Sequence, residues 1–308
     1  MFESYRIMLD GFTWAWNGET EFPDDEGTSL ICTGLDGWHG PPARRSQLTD
    51  RPGADGAFRG EAYRGSRTIA LEGKHFAADG RRLRTLERRL AGICADPARL
   101  YPLRVEDELN PLTAYVELSG EVKVAPTNYD TGVVSLSLTA PDPTRFGDWI
   151  TSTIPAPTEG VGGVVSDSPG VDASGDGVLA GTAPSPTSIT VTNPGSAPAV
   201  VVVEIKGPSS SPSVFVTDTG AQLNLAATLY DGESMFINCS TQYAHEVPGQ
   251  ALGTYMFGRS LFGPGGYSGG AGLTVVNGVW PVLPPGGTAT FLITGGGPSA
   301  VHVRPTYW

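Results

Sequence analysis

The chain has 308 residues with 42 Gly, 26 Pro and a net charge of −12. Gly and Pro are the least favourable residues inside a helix, so this excess excludes a mainly helical protein. Collagen is excluded because the glycines keep no three-residue period, and six Trp, ten Tyr and eleven Phe argue against disorder.

The charge is divided unevenly along the chain. Residues 1–148 hold 17 basic and 23 acidic residues, whereas residues 149–308 hold 3 basic and 9 acidic residues. This asymmetry predicts two domains of different chemistry. The acidic total argues against sequence-specific nucleic-acid binding and against affinity for anionic membranes.

The first domain, residues 1–149, is predicted to contain short strands separated by turns such as Asp55-Gly56. The alternation over Arg67–Glu72 indicates a half-buried strand. Further strands are expected at Leu103–Leu109, Thr113–Val124 and Thr131–Thr139.

One helix is predicted between these strands. Asp79 is a suitable N-terminal cap, and an apolar stripe of Leu83, Leu86, Leu90 and Ile93 follows it. Arginines occupy the remaining positions, and we expect the helix to stop before Pro97. The window 44–104 carries 14 Lys and Arg against 7 Asp and Glu.

The amino-acid composition changes after residue 149. Residues 150–187 are mostly Gly, Pro, Ser and Thr, which predicts a linker or long loop. From residue 188 to 308, short strand-like runs recur between turn signals, which predicts an antiparallel β-sandwich. The Gly-rich and aromatic stretch Gly253–Gly272 interrupts these strands and is too rich in glycine for a core.

No motif carries catalytic chemistry, so we expect no enzyme, cofactor or metal. Ser268 lies in a G-x-S-x-G pattern, but glycines precede it where a nucleophile elbow needs a strand. The run that begins at Asp172 resembles a calcium loop, yet Ala183 stands where the bidentate Glu is required. We expect Cys32, Cys94 and Cys239 to be free, buried or half-buried thiols, because their spacing fits neither a zinc site nor a disulfide framework.

The order of the turn signatures resembles the distal tail (Dit) protein family of long-tailed siphophages. The similarity spans nearly the whole chain. The signatures are Gly34-Leu35-Asp36-Gly37, Pro41-Pro42, Gly65-Ser66-Arg67 and Pro141-Asp142-Pro143 in the first half, and Asn193-Pro194-Gly195, Asp231-Gly232-Glu233 and Pro284-Pro285-Gly286 in the second.

The resemblance implies a fold and a function. The expected fold is mainly β, with an N-terminal split β-barrel that carries one α-helix and a C-terminal galectin-like antiparallel β-sandwich. The implied function is structural: six copies form a ring at the distal end of the tail tube, in the virion, after synthesis in the host cytoplasm. The tail tube protein would lie above the ring and the tail-associated hub protein below it, with the tape-measure protein as a further candidate partner.

Two sets of residues are candidates for contacts in such an assembly. The helix arginines Arg81, Arg84, Arg88 and Arg89 are expected to face acidic residues of a neighbouring copy, and the candidates for these are Asp24, Asp25 and Glu26. The enlarged loop offers aromatic residues to another tail component: Tyr255, Phe257, Phe262 and Tyr267. The alternative function is a carbohydrate-binding module for the host cell wall, although no H-x-N-x-R run of a galectin sugar site is present.

Overall fold

The computed structural model describes residues 5–16, 27–154, 187–248, 276–295, 297 and 299–308. The chain divides into two compact units. Unit 1 comprises Met1–Asp148 together with Thr306–Trp308, and unit 2 comprises Trp149–Pro305. Most of the proposed linker, residues 155–186, lies outside the described residues, and Ile150–Ile154 at its start is a β-strand.

Unit 1 is built from short strands and a single helix within the described residues. Its elements are β1 (Arg6–Leu9), β2 (Phe12–Trp16), β3 (Thr28–Asp36), β4 (Arg44–Asp50), β5 (Ala57–Arg64), β6 (Arg67–Ala77), α1 (Gly80–Leu90), β7 (Tyr101–Glu106), β8 (Leu112–Leu118), β9 (Lys123–Pro126), β10 (Thr131–Ala140) and β11 (Arg145–Phe146).

Seven of these strands form a closed barrel in the order β8-β7-β1-β2-β3-β6-β10. β10 closes the barrel by pairing with β8, where Leu138 lies opposite Leu118. β2 and β3 run parallel to each other, whereas the other neighbours in the barrel are antiparallel. The barrel with its helix confirms the predicted architecture of the N-terminal half.

The barrel core follows from alternation along the strands. In β6, Ile69 and Leu71 are buried while Thr68 and Glu72 are exposed, as the two-residue period of a strand requires. The apolar face packs with Trp14 and with buried residues of β7 and β10. Each large side chain buried in this way contributes about 1.5–3 kcal/mol to the free energy of unfolding.

The helix α1 forms at the predicted position. The Asp79 side chain accepts a hydrogen bond of 2.9 Å from the backbone N–H of Arg82, which satisfies one of the free donors at the helix start. Leu83, Leu86 and Leu90 are buried against the barrel. The predicted stripe is therefore correct for these three leucines, whereas its fourth member, Ile93, is buried but lies beyond the end of the helix at Leu90.

All regular secondary-structure elements in the described part of unit 2 are β-strands. They are β12 (Ile150–Ile154), β13 (Thr187–Thr192), β14 (Ala197–Lys206), β15 (Ser209–Ser210), β16 (Ser213–Val216), β17 (Ala221–Leu225), β18 (Thr228–Leu229), β19 (Glu233–Asn238), β20 (Tyr243–Pro248), β21 (Val276–Gly278), β22 (Thr288–Thr294) and β23 (Ser299–Tyr307).

Two sheets pack against each other in unit 2. The first sheet has the order β20-β19-β14-β23, and β12 also pairs with β23. The second sheet has the order β13-β22-β16-β17-β21. Val203 and Val301 from the first sheet and Val214, Leu223 and Phe291 from the second belong to one buried cluster. This arrangement confirms the predicted β-sandwich.

The last residues of the chain belong to unit 1. At the end of β23, Thr306 lies opposite Phe146 and Tyr307 lies opposite Arg145 of β11. Phe146 also pairs with Thr113 of β8. The sheet of unit 1 is therefore completed by residues that follow unit 2 in the sequence.

Candidate assembly surface

The β4–β5 hairpin of unit 1 is exposed along both of its strands. Its strands pair from Arg44↔Arg64 at the base to Asp50↔Ala57 at the turn, with a bulge between Ser46 and Leu48. Every residue of β4 is exposed. Among the strands that the structure describes, β4 and β5 pair only with each other.

The hairpin carries apolar side chains that face solvent. Leu48 is 65% exposed, Phe58 is 57% exposed and Tyr63 is 61% exposed. A two-stranded hairpin is only marginally stable in water by itself, and its two outer edges present unpaired backbone groups. Unpaired strand edges of this kind can pair with another chain, so the hairpin is a candidate contact surface.

Positive charge surrounds these apolar residues. Residues 44–64 contain five Arg against three Asp and Glu, in a chain whose net charge is −12. The guanidinium carbon of Arg51 lies 5.2 Å from the centre of the Phe58 ring. The Tyr63 hydroxyl donates a hydrogen bond to the Glu61 carboxylate. A partner with acidic and apolar residues would complement this surface.

The helix arginines lie on the exposed side of α1. The structure brings Arg81, Arg84, Arg88 and Arg89 together on this face. Arg84 donates a hydrogen bond of 2.7 Å to Glu87 of the same helix, and the guanidinium carbon of Arg89 lies 5.4 Å from the centre of the Phe12 ring. Arg84 and Arg89 therefore have contacts within the chain, and all four arginines are exposed.

Several candidates from the sequence lie outside the described residues. They are the acidic residues Asp24, Asp25 and Glu26, the loop aromatics Tyr255, Phe257, Phe262 and Tyr267, Ser268 of the G-x-S-x-G pattern, and the incomplete calcium loop from Asp172 to Ala183. The pairing of the helix arginines with acidic residues of a neighbour stays a prediction.

The three cysteines are buried free thiols, as expected from the sequence. Burial raises the pKa of Cys32 to about 11 and that of Cys239 to about 12. Thiols with such raised pKa values are protonated at neutral pH and unreactive as nucleophiles. In the described part of the chain, His, Cys, Asp and Glu side chains form no group of three that could hold a metal ion.

In the part of the chain that the structure describes, no helix is long and apolar enough to cross a membrane.

Comparison with known proteins gives matches at the level of structure. No protein-family model matches the chain, and no curated protein does. The crystal structure of the SPP1 Dit protein matches with a TM-score of 0.60 and 13% sequence identity, over 99% of this chain and 99% of that chain. This chain has the Dit fold.

Two baseplate structures agree with this Dit fold. A chain of the phage P2 baseplate in its activated conformation with Ca has a TM-score of 0.54 and 11% identity, over 99% of this chain and 98% of that chain. The form with Sr gives a TM-score of 0.51 and 11% identity, over 98% and 97%. The resemblance seen in the turn signatures is thereby confirmed, although identity is far too low for residue-by-residue inference.

The hairpin residues Leu48, Phe58 and Tyr63 were not singled out from the sequence. A signal was present, because two strand-like runs flank the turn residues Pro52-Gly53 and Asp55-Gly56. Sequence patterns do not distinguish a hairpin in a barrel wall from one that projects into solvent. The structure shows what the sequence does not, namely that β4 and β5 have no further strand partner among the described residues.

Proposed function

We propose that this chain is a structural subunit of a phage tail tip that assembles into a six-membered ring at the distal end of the tail tube. The observation that carries this proposal is the Dit fold across 99% of the chain. The SPP1 Dit protein is described as a paradigm of the hub adsorption apparatus of phages that infect Gram-positive bacteria. The shared fold supports the same kind of structural role here.

The surface chemistry of unit 1 supports assembly. A ring of identical subunits needs two different surfaces on each copy that fit one another around a closed symmetry axis. The β4–β5 hairpin supplies candidates for such contacts, with exposed Leu48, Phe58 and Tyr63. Leu48 lies opposite Arg59 and Phe58 lies opposite Thr49, so Leu48 and Phe58 are on opposite faces of the hairpin. In this proposal, the tail tube protein binds one face of the ring and the tail-associated hub protein binds the other, with the tape-measure protein as a further partner in the virion.

The proposed role is structural and does not involve catalysis. The solved structures that support this proposal are the SPP1 Dit protein and chains of a phage baseplate. The carbohydrate-binding alternative depends on loop aromatics outside the described residues, so no structural observation favours it.

The first test is the mass of the protein in solution. We expect size-exclusion chromatography with light scattering to give about six times the protomer mass of 32.2 kDa, because closed rings are favoured over open chains. Negative-stain electron microscopy of the same fraction would count the subunits. A protein that stays monomeric at all concentrations and in the presence of its tail tube protein would contradict the proposal.

A variant of the β4–β5 hairpin tests whether the hairpin forms contacts between subunits of the proposed ring. The double substitution Leu48→Ser with Phe58→Ser removes apolar side chains that touch solvent in the single chain, so the melting temperature of the protomer should change little. Assembly should be lost or weakened at least about tenfold, since apolar residues at the centre of an interface carry much of its binding energy.

The matched control is Leu109→Ser, which changes an exposed leucine of unit 1 outside the hairpin. This variant should assemble like the parent. Equal assembly of the hairpin variant and the parent would exclude the hairpin from the interface.

A further inference from the structure

The β4–β5 hairpin directs half of its backbone groups away from itself. Gly65 donates a backbone hydrogen bond of 2.8 Å to the carbonyl oxygen of Ala43 at the base, and Arg51 donates one of 3.0 Å to that of Gly56 at the turn. Bonded and non-bonded residue pairs alternate along an antiparallel ladder. Counted from these two bonds, the residues whose N–H and C=O groups point outward are Arg44, Ser46, Leu48 and Asp50 on β4 and Ala57, Arg59, Ala62 and Arg64 on β5.

The outward groups of β4 and β5 can pair with each other between two copies of the chain. Hairpins that point the same way around a symmetry axis bring β5 of one copy antiparallel to β4 of the next. This contact is heterologous, because β4 meets β5, and it repeats from copy to copy until a ring closes. Closure leaves no unpaired edge, so it satisfies the backbone groups that the single hairpin exposes.

Charge selects the register of such a pairing. Without any stagger between copies, Arg44 of one copy would lie opposite Arg64 of the next, as the two do across the hairpin itself, and like charges in opposite positions are destabilising. A stagger of two residues keeps the outward backbone groups in phase and, in one direction, places Asp50 of one copy opposite Arg59 of the next. Both side chains are exposed, and neither forms an ion pair in the described part of the chain.

We propose that the hairpins of neighbouring copies pair edge to edge into one closed β-barrel, with β4 of each copy hydrogen-bonded to β5 of the next. The inference rests on the proposed function and names the contact that holds the subunits of the ring together. In a six-membered ring the hairpins form a barrel of about twelve strands. A stagger of two residues per copy makes the total stagger equal to the number of strands, as in eight-stranded barrels whose strands tilt by about 36°. Leu48 and Phe58 lie on opposite faces of the hairpin, so one faces the barrel interior and the other its outer surface.

The first test places the two charges on different copies. Asp50→Arg alone sets two arginines opposite each other at every contact, and Arg59→Asp alone sets two aspartates there. Each variant should weaken assembly at least about tenfold, because like charges oppose each other in the interface. An equimolar mixture of the two variants should restore the assembled mass, since alternating copies then present opposite charges at every contact. A loss of stability within one chain cannot be repaired by mixing.

The matched controls are Glu108→Arg and Lys123→Asp, which make the same charge changes at exposed positions of unit 1 outside the hairpin. Each control should assemble like the parent in size-exclusion chromatography with light scattering. Melting temperatures close to that of the parent would show that all four variants fold. Single hairpin variants that assemble like the parent, or a mixture that does not recover, would overturn the proposal.

Hydrogen exchange with mass spectrometry tests the backbone pairing directly. In the assembled parent, the outward amides of residues 44–50 and 57–64 should exchange at least about tenfold more slowly than in the unassembled Asp50→Arg variant, because N–H groups bonded between copies are protected. A ring whose outward amides stay unprotected would overturn this proposal and leave the proposed function standing. Protected amides in an assembly with another number of copies would support the edge pairing and contradict the six-membered ring. A protein that never assembles would overturn both.

Discussion

Asn193 shows how one polar side chain organises a turn in unit 2. It is fully buried, and its Nδ2 donates to the carbonyl oxygens of Ala197 at 2.8 Å and Pro284 at 3.0 Å. Its Oδ1 accepts a hydrogen bond of 2.8 Å from the backbone N–H of Gly195. The sequence Asn-Pro-Gly predicts the turn. The contact with Pro284 is not predictable from it, because the two residues are far apart along the chain.

The first prediction concerns Asn193→Ala. The change leaves the carbonyls of Ala197 and Pro284 without a buried donor, and an unsatisfied buried group costs about 1–3 kcal/mol. We expect the free energy of unfolding, measured with urea, to fall by about that amount or more. Asn224→Ala is the control, because Asn224 is exposed and its loss should cost less than about 0.5 kcal/mol. Equal effects of the two substitutions would show that the buried contacts do not stabilise the turn.

His75 is a buried titratable residue under α1. It is 0% exposed, and its Nε2 lies 3.7 Å from Oε1 of Glu87, which is too long for a hydrogen bond. Burial lowers the pKa of His75, and the nearby Glu87 carboxylate opposes this shift. Gly132 makes room for the ring, because a Cβ atom there would lie 2.2 Å from Nε2.

The second prediction is a pH dependence caused by His75. Well above pH 6.5 the residue is neutral in both folded and unfolded chains, so it does not make stability depend on pH there. As the pH falls below 6.5, the unfolded chain takes up a proton before the folded chain does, and the free energy of unfolding falls. In His75→Gln this decrease between pH 6.5 and 5 should be smaller, as measured by urea unfolding at each pH. Identical slopes for parent and variant would contradict the expectation.

At the scale of elements, α1 and the β4–β5 hairpin differ in how well the sequence predicts them. The cap at Asp79 and the leucines at helical spacing act over neighbouring turns, so a local pattern contains the information for α1. The hairpin strands are also visible as local runs. The hairpin strands are exposed because no third described strand pairs with them. Residues far away in the sequence determine whether such a third strand is present.

The third prediction tests the packing of α1. Leu90 is fully buried, and Leu90→Ala should lower the free energy of unfolding by about 2–5 kcal/mol through lost burial and a cavity. Arg81→Ala on the exposed face of the same helix is the control, and it should change stability by less than about 0.5 kcal/mol. Thermal or urea unfolding of both variants measures the difference. A cost for Leu90→Ala as small as that of Arg81→Ala would mean that α1 does not stabilise the barrel.

At the scale of the whole molecule, the chain has two separate hydrophobic cores. Leu103 belongs to the core of unit 1 and Ile205 to the core of unit 2. The change in charge near residue 149 predicts two domains. It does not predict that residues 306–308 belong to unit 1, because pairing between β11 and the end of β23 leaves no local signal in either segment.

The fourth prediction follows from the two cores. Calorimetry should show two unfolding transitions, since each unit has its own core and is compact by itself. Leu103→Ala should lower one transition and Ile205→Ala the other, each by about 2–5 kcal/mol. One transition shifted equally by both substitutions would show instead that the cores unfold as a single cooperative unit.

Because residues 306–308 belong to unit 1 but follow unit 2 in the sequence, unit 1 cannot form all of its contacts before unit 2 has been synthesised. β11 leaves the ribosome before any residue of unit 2, yet its partners Thr306 and Tyr307 leave after all of unit 2. The barrel can form early, but the pairing of β11 with β23 and the contact of Arg145 with Trp308 must wait until residues 306–308 have been made. Arg145 lacks these contacts in the nascent chain before then, which delays completion of unit 1 until unit 2 has been made.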